Sequence, residues 1–109
     1  MTTNVQSGTL PALTVGLRTQ VGTTVTTAGV YVLKLDASAM ANGDALTVEV
    51  ETKVISGGTR HVTRREYFVN AQAVPNKQFI PEPEATEVAF FVTQSAGTGR
   101  PFDWAITSL

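Results

Sequence analysis

The stretch from Leu46 to Val69 constrains the fold more than any other part of this chain. Leu46, Val48, Val50 and Val54 alternate with Thr47, Glu49, Glu51 and Lys53. Successive side chains of a strand point to opposite faces, so a period of two marks a strand with one buried and one solvated face. Ser56-Gly57-Gly58-Thr59 follows. Adjacent glycines reach positive φ without steric cost, which suits a two-residue turn and an antiparallel return over Arg60 to Val69. Such a turn places Glu51 opposite Arg64 and Val48 opposite Tyr67, whereas a three-residue loop shifts that register by one.

The flanking segments read the same way. Tyr31, Leu33 and Leu35 alternate with Val32, Lys34 and Asp36 in a strand that Asp36 ends. Asp36-Ala-Ser-Ala-Met-Ala-Asn-Gly43 has an N-cap residue, helix formers and an Asn-Gly exit, and is expected to make one helical turn. Thr9 to Val25 suits one or two short strands broken near Gly16 and Gly22. Pro75, Pro81 and Pro83 remove ladder donors, so residues 71–86 form a loop with at most an edge strand around Lys77 to Ile80. Glu87 to Thr93 resumes as a strand. A Gly-rich turn at residues 96–100 leads into a closing strand with Phe102, Trp104 and Ile106 on one face. Residues 1–8 are small, polar and aperiodic, and are expected to form a flexible N-terminal arm that the fold does not need, with a weak first strand as the alternative. The whole predicts an all-β chain: an antiparallel β-sandwich or small barrel with one short helical turn, over a single domain at residues 9–109.

A length of 109 residues suits one core, and an apolar fraction of 42% is ordinary for a folded domain. Eight basic against nine acidic residues leave no net positive field for a polyanion, so nucleic acid is not an expected partner. The absence of cysteine excludes disulfides, thiolate nucleophiles and Cys-ligated zinc. The first residues lack the basic start and apolar stretch of a secretion signal, and no apolar run approaches the roughly 20 residues that span a bilayer. A soluble, non-membrane protein made in a cytoplasm is expected.

Chemistry-bearing residues are few. The sole imidazole, His61, lies in the polar run Arg60-His-Val-Thr-Arg-Arg65 and reads as a surface residue of the hairpin. Glu82, Glu84 and Glu87 lack the ligand spacing and glycine of a calcium loop and read as a solvated acidic segment. Gly97-Thr-Gly-Arg100 lacks the Gly-Lys-Ser/Thr ending of a phosphate-binding loop and reads as a hairpin turn. Arg60, Arg64 and Arg65 form a basic patch that Glu49, Glu51 and Glu66 of the same hairpin should neutralise. Trp104, Tyr31 and Tyr67 would make a sugar-stacking platform if they shared an exposed face, but Trp104 alternates as a core residue should. No catalytic, cofactor-binding or metal-binding residue is assigned, and an enzyme is not expected.

Four stretches, Tyr31-Val-Leu-Lys-Leu-Asp36, Met40-Ala-Asn-Gly-Asp44, Lys53-Val-Ile-Ser-Gly-Gly58 and Phe91-Val-Thr-Gln-Ser-Ala-Gly-Thr-Gly-Arg-Pro-Phe-Asp-Trp104, give the region from Tyr31 to Leu109 its likeness to known sequences. It resembles small virion-associated proteins encoded by tailed phages. The resemblance implies a virion structural protein, first of all a capsid decoration or cement protein present in many copies on the capsid lattice. Its expected partners are the major capsid protein or another virion protein and further copies of itself. Alternatives are a tail or head–tail connector component and a carbohydrate-binding β-sandwich module.

Overall fold

The computed structural model describes residues 3–79, 82–84 and 86–109. Its strands are β1 (Thr3–Leu10), β2 (Arg18–Val25), β3 (Gly29–Asp36), β4 (Ala45–Thr52), β5 (His61–Val69), β6 (Asn76–Gln78), β7 (Glu82–Glu84), β8 (Val88–Ala96) and β9 (Phe102–Ser108). They form two antiparallel sheets. The first has the order β1-β9-β3-β6, with β7 also on β3; the second has the order β2-β8-β4-β5.

Strands β6 and β7 share one edge of β3, β6 at Lys34 to Asp36 and β7 at Gly29 to Tyr31. Taken as one interrupted strand, they complete two four-stranded sheets. The chain crosses between sheets at every connection except the β4–β5 hairpin and the β6–β7 break. That order and connectivity are those of an eight-stranded jelly roll.

The core lies between the sheets. Leu33, Leu35, Phe102 and Ile106 face Val21, Leu46, Val48, Val50, Phe90 and Val92, all essentially buried. Each belongs to an alternating run, so burial of one face of each strand is the force that sets the register. Phe68 and Phe79, with ring centroids 5.9 Å apart and planes at 70°, border the core on the β5–β6 side. Trp104 does so on the β1–β2 side, directly opposite Gly8. A Cβ at Gly8 would stand 3.3 Å from the indole, so the missing side chain makes room for the ring.

Four local expectations change. Residues 3–8 are part of edge strand β1, paired with β9 from Thr3–Ser108 to Leu10–Phe102, and are not an arm. β1 is otherwise polar apart from the exposed Val5, the buried Leu10 and the glycine beneath Trp104, so it shows no alternation of apolar and polar residues. The hairpin loop runs over residues 53–60, and its turn is closed by Gly58 N–H donating to Ile55 O at 3.1 Å, with positive φ (82°) at Gly57 only. Val48 therefore faces Glu66, Glu49 faces Arg65 and Val50 faces Arg64, one residue off the two-residue-turn register, before a bulge after Val50. The expected helical turn is two successive turns, closed by Met40 N–H to Ala37 O and Asp44 N–H to Ala41 O, each at 3.1 Å. Gly22 lies within β2, at a register irregularity, and does not end the strand.

Candidate functional surfaces

One end of the sandwich is tied by a buried carboxylate. Asp44, only 2% exposed, closes the β3–β4 connection. Its Oδ2 accepts from Ala41 N–H at 2.9 Å and from Arg100 Nε at 2.8 Å, and its Oδ1 accepts from Thr98 N–H at 3.1 Å. The Ala41 amide, then the Arg100 guanidinium and the Thr98 amide, outweigh burial and hold this carboxyl below the usual carboxylate range. Beside it the buried Gln94 side chain donates to Ala96 O and Thr98 O and accepts from Arg100 N–H. Asn70 adds the β5–β6 connection: its N–H donates to Asp44 O, and its Oδ1 accepts from Gly43 N–H. The β1–β2 connection joins through Leu13 N–H to Arg100 O. All four connections at this end are thus closed on one another. Gly97-Thr-Gly-Arg100 is therefore a cross-sheet connection wrapped on Asp44, where the sequence suggested a hairpin turn.

The outer face of the second sheet is a ladder of ion pairs drawn from several strands. Arg18 of β2 reaches Glu49 at 2.9 Å and also pairs with Glu51, and its guanidinium carbon lies 3.7 Å from the centre of the Phe91 ring. Arg65 reaches Glu49 at 2.7 Å, and Arg60 reaches Glu51 at 2.8 Å and Glu87 at 3.0 Å. Lys53 closes the row on Glu87 at 2.7 Å. Burial pushes the Glu49 and Glu51 carboxyls up, but Arg65 and Arg18 on the first, and Arg18 and Arg60 on the second, hold both below the usual range. Arg60 and Arg65 are compensated by Glu51 and Glu49 of the same hairpin, as expected. Arg18 and Glu87, distant in sequence, were not legible as members.

Beyond that ladder the hairpin presents apolar groups to solvent. Val62, Tyr67 and Val69 stand on the outward side of β5 with Arg65, and Tyr67 is 62% exposed. At the tip, Val54 is 96% and Ile55 66% exposed. These are five of the ten large apolar side chains that the described residues leave in solvent, and all lie on one hairpin. Scattered exposed valines are normal on a surface; a row of them around a tyrosine is the composition of contact surfaces.

The outer face of the first sheet is different. Register places Thr9, Asp103, Asp36 and Asn76 in one row across β1, β9, β3 and β6, and Ser7, Ala105, Lys34 and Gln78 in the next. A hollow of about 440 Å³ lies here, lined by both rows' residues from β9, β3 and β6.

The remaining residues singled out by sequence do not converge. His61 is exposed, opposite Thr52. Glu87 is engaged by Lys53 and Arg60, and the side chains of Glu82 and Glu84 lie outside the described residues. Tyr31 is buried in the core with its hydroxyl donating to Thr27 O, Trp104 packs inward, and Tyr67 stands on the opposite sheet, so the three rings share no platform. Among the described residues, no cluster of three or more His, Asp or Glu side chains could hold a metal ion, and no helix is long and apolar enough to cross a membrane. Comparison with protein-family models, curated proteins and solved structures found no match.

Proposed function

We propose that this chain is a phage virion structural protein, a capsid decoration protein that docks on the coat lattice in many copies. The observation that supports this most is the outward row of β5, Val62, Arg65, Tyr67 and Val69, continued by Val54 and Ile55 at the hairpin tip. A rigid Tyr and Arg among aliphatic groups is the usual make-up of an interface centre. The ion-pair ladder behind it is already internally compensated, so docking there leaves no lone buried charge. The jelly-roll order adds support by analogy, since capsid domains are among the proteins that use it. A single such patch binds weakly, but presentation in many copies on a lattice raises its effective affinity.

Imaging of purified particles from the phage that encodes the chain tests the reading. Copies spread over the head in lattice register are expected. Copies confined to the tail or one vertex would make it a tail or connector component, and complete absence from particles would overturn the proposal. Recombinant Tyr67→Ala/Val69→Ser protein should retain its thermal transition and bind undecorated heads much more weakly than the parent.

A further inference from the structure

We infer that the hollow on the outer face of the first sheet is a binding site for a neutral saccharide chain. The argument begins with what lines it. Lys34, Asp36, Asn76, Gln78 and Asp103 surround Ala105, with Lys77 of β6 also in the lining, and the Ala105 methyl group, shorter than its row neighbours Lys34 on β3 and Gln78 on β6, leaves a depression in the sheet.

These side chains differ in state from those of the second sheet. There the charged groups are spent on one another. Here, among the described residues, Asp36 is engaged only by the Ser38 hydroxyl and N–H, and Asp103 only by Thr9 Oγ1 at 2.6 Å, which leaves acceptor capacity on both carboxylates. Among the described residues, nothing engages the Lys34 ammonium or the Asn76 and Gln78 amides by hydrogen bond or ion pair.

The chemistry of the lining selects the ligand. Asp36 and Asp103 are direct cross-strand partners, so an anion such as phosphate would meet two carboxylates side by side. A bare cation would meet the Lys34 ammonium in the neighbouring row and finds no third carboxylate, histidine or cysteine. An apolar peptide has one alanine for a floor. A polyol, by contrast, presents hydroxyls that both donate and accept at close spacing. Carboxylates accept from such hydroxyls, the ammonium donates to them, and the amides do either, with neighbours in a row about 4.8 Å apart across the strands and the two rows roughly 6.8 Å apart along them. The site stands on the opposite face from the β5 row and does not depend on the capsid reading.

The test is a titration of the isotopically labelled protein with maltohexaose, cellohexaose and chitohexaose at millimolar concentration. Amide shifts at Lys34, Asp36, Gln78, Asp103 and Ala105 with at least one of them are expected. Ala105→Ile fills the hollow with a residue suited to a strand and should weaken that binding about tenfold or more, while Arg65→Ala on the other sheet leaves it unchanged. The thermal transition of Ala105→Ile shows whether it folds; if it does not, Asp36→Asn/Asp103→Asn carries the same test with little change of shape. The inference is overturned if no sugar shifts these amides, if the shifts map elsewhere, if folded Ala105→Ile or Asp36→Asn/Asp103→Asn binds like the parent, or if inorganic phosphate or calcium occupies the hollow in preference. Particle docking by Ala105→Ile should remain at the parental level, so failure here and failure of the capsid reading are read separately.

Discussion

Removing Asp44 should cost this protein more stability than removing any other single polar side chain. In Asp44→Ala three donors lose their acceptor at once: the Ala41 and Thr98 amides and the Arg100 Nε. Hydrogen bonds to a charged group contribute roughly 1.5–3 kcal/mol each where water cannot replace them. The Arg100 side chain is 30% exposed, so water recovers part of its loss, and the pair must be discounted. Two unsatisfied amides at about 1 kcal/mol each and a reduced share for the guanidinium sum to roughly 3 kcal/mol, the lower end for breaking a buried pair. For a domain of this size 1 kcal/mol shifts the midpoint by about 4–8 °C, so a fall of roughly 12–24 °C follows.

Thermal unfolding followed by circular dichroism and by the fluorescence of Trp104, the sole tryptophan, measures the fall. Two companions sharpen it. Arg100→Ala leaves Asp44 its two amide donors and should cost less than half as much. In the double variant the losses should be clearly less than additive, because each single change orphans the other partner. A drop below about 4 °C for Asp44→Ala, or strict additivity, would refute the claim that this carboxylate holds the four connections together.

Further outcomes follow from the same geometry. Gly97→Ala should destabilise by a similar mechanism, since φ there is +88° and a Cβ would run into the Asp44 carboxylate; denaturant midpoints check it. Deleting residues 1–8 should lower the thermal midpoint and shift Trp104 emission to the red, because β1 covers that ring; an unchanged midpoint and spectrum would mean that β1 contributes nothing to the fold. The Asp44, Glu49 and Glu51 carboxyls sit below their ordinary range in the folded state. Their contribution is therefore complete above the unfolded carboxylate range and is lost as pH falls through the lowered folded values. Midpoints should be level from pH 7 to about 5 and fall steeply below about pH 4, less steeply in Glu49→Gln/Glu51→Gln.

The one sequence-adjacent strand pair in either sheet, β4–β5, is also the hairpin that the amino-acid pattern declared most clearly. Its information is local: alternation, a glycine pair and charges of opposite sign within one stretch. The single slip in register came from the loop, where alternation no longer constrains the backbone and only Gly57 takes the left-handed conformation. Every other ladder joins segments far apart in the chain, and β1 meets β9 across almost its whole length. A largely polar edge strand carries no periodic signature of its own, so residues 3–8 of β1 read as part of an arm. The Asp44 cluster was hidden for the same reason. Asp44, Gln94, Thr98 and Arg100 look like ordinary loop residues until the β3–β4 and β8–β9 connections are brought to one end. Ala105 reads as a routine small residue of a closing strand, and only the register of three neighbouring strands turns it into the floor of a hollow.

The two faces also make a joint prediction about orientation. The sandwich is only 20 Å through its shortest axis, and the β5 row and the hollow lie on opposite sheets. A molecule that docks by the β5 row must therefore turn the hollow away from the lattice, toward the medium. Decorated particles should then retain the saccharide binding of the free protein, strengthened by the number of copies displayed. Sedimentation of particles with a polymer of the sugar that binds the free protein measures this directly. Particles carrying Ala105→Ile should sediment alone, and those carrying the parent chain should be cross-linked. If decoration instead abolishes sugar binding while free protein still binds, the docked face is the first sheet, and the β5 row is left to contacts between neighbouring copies.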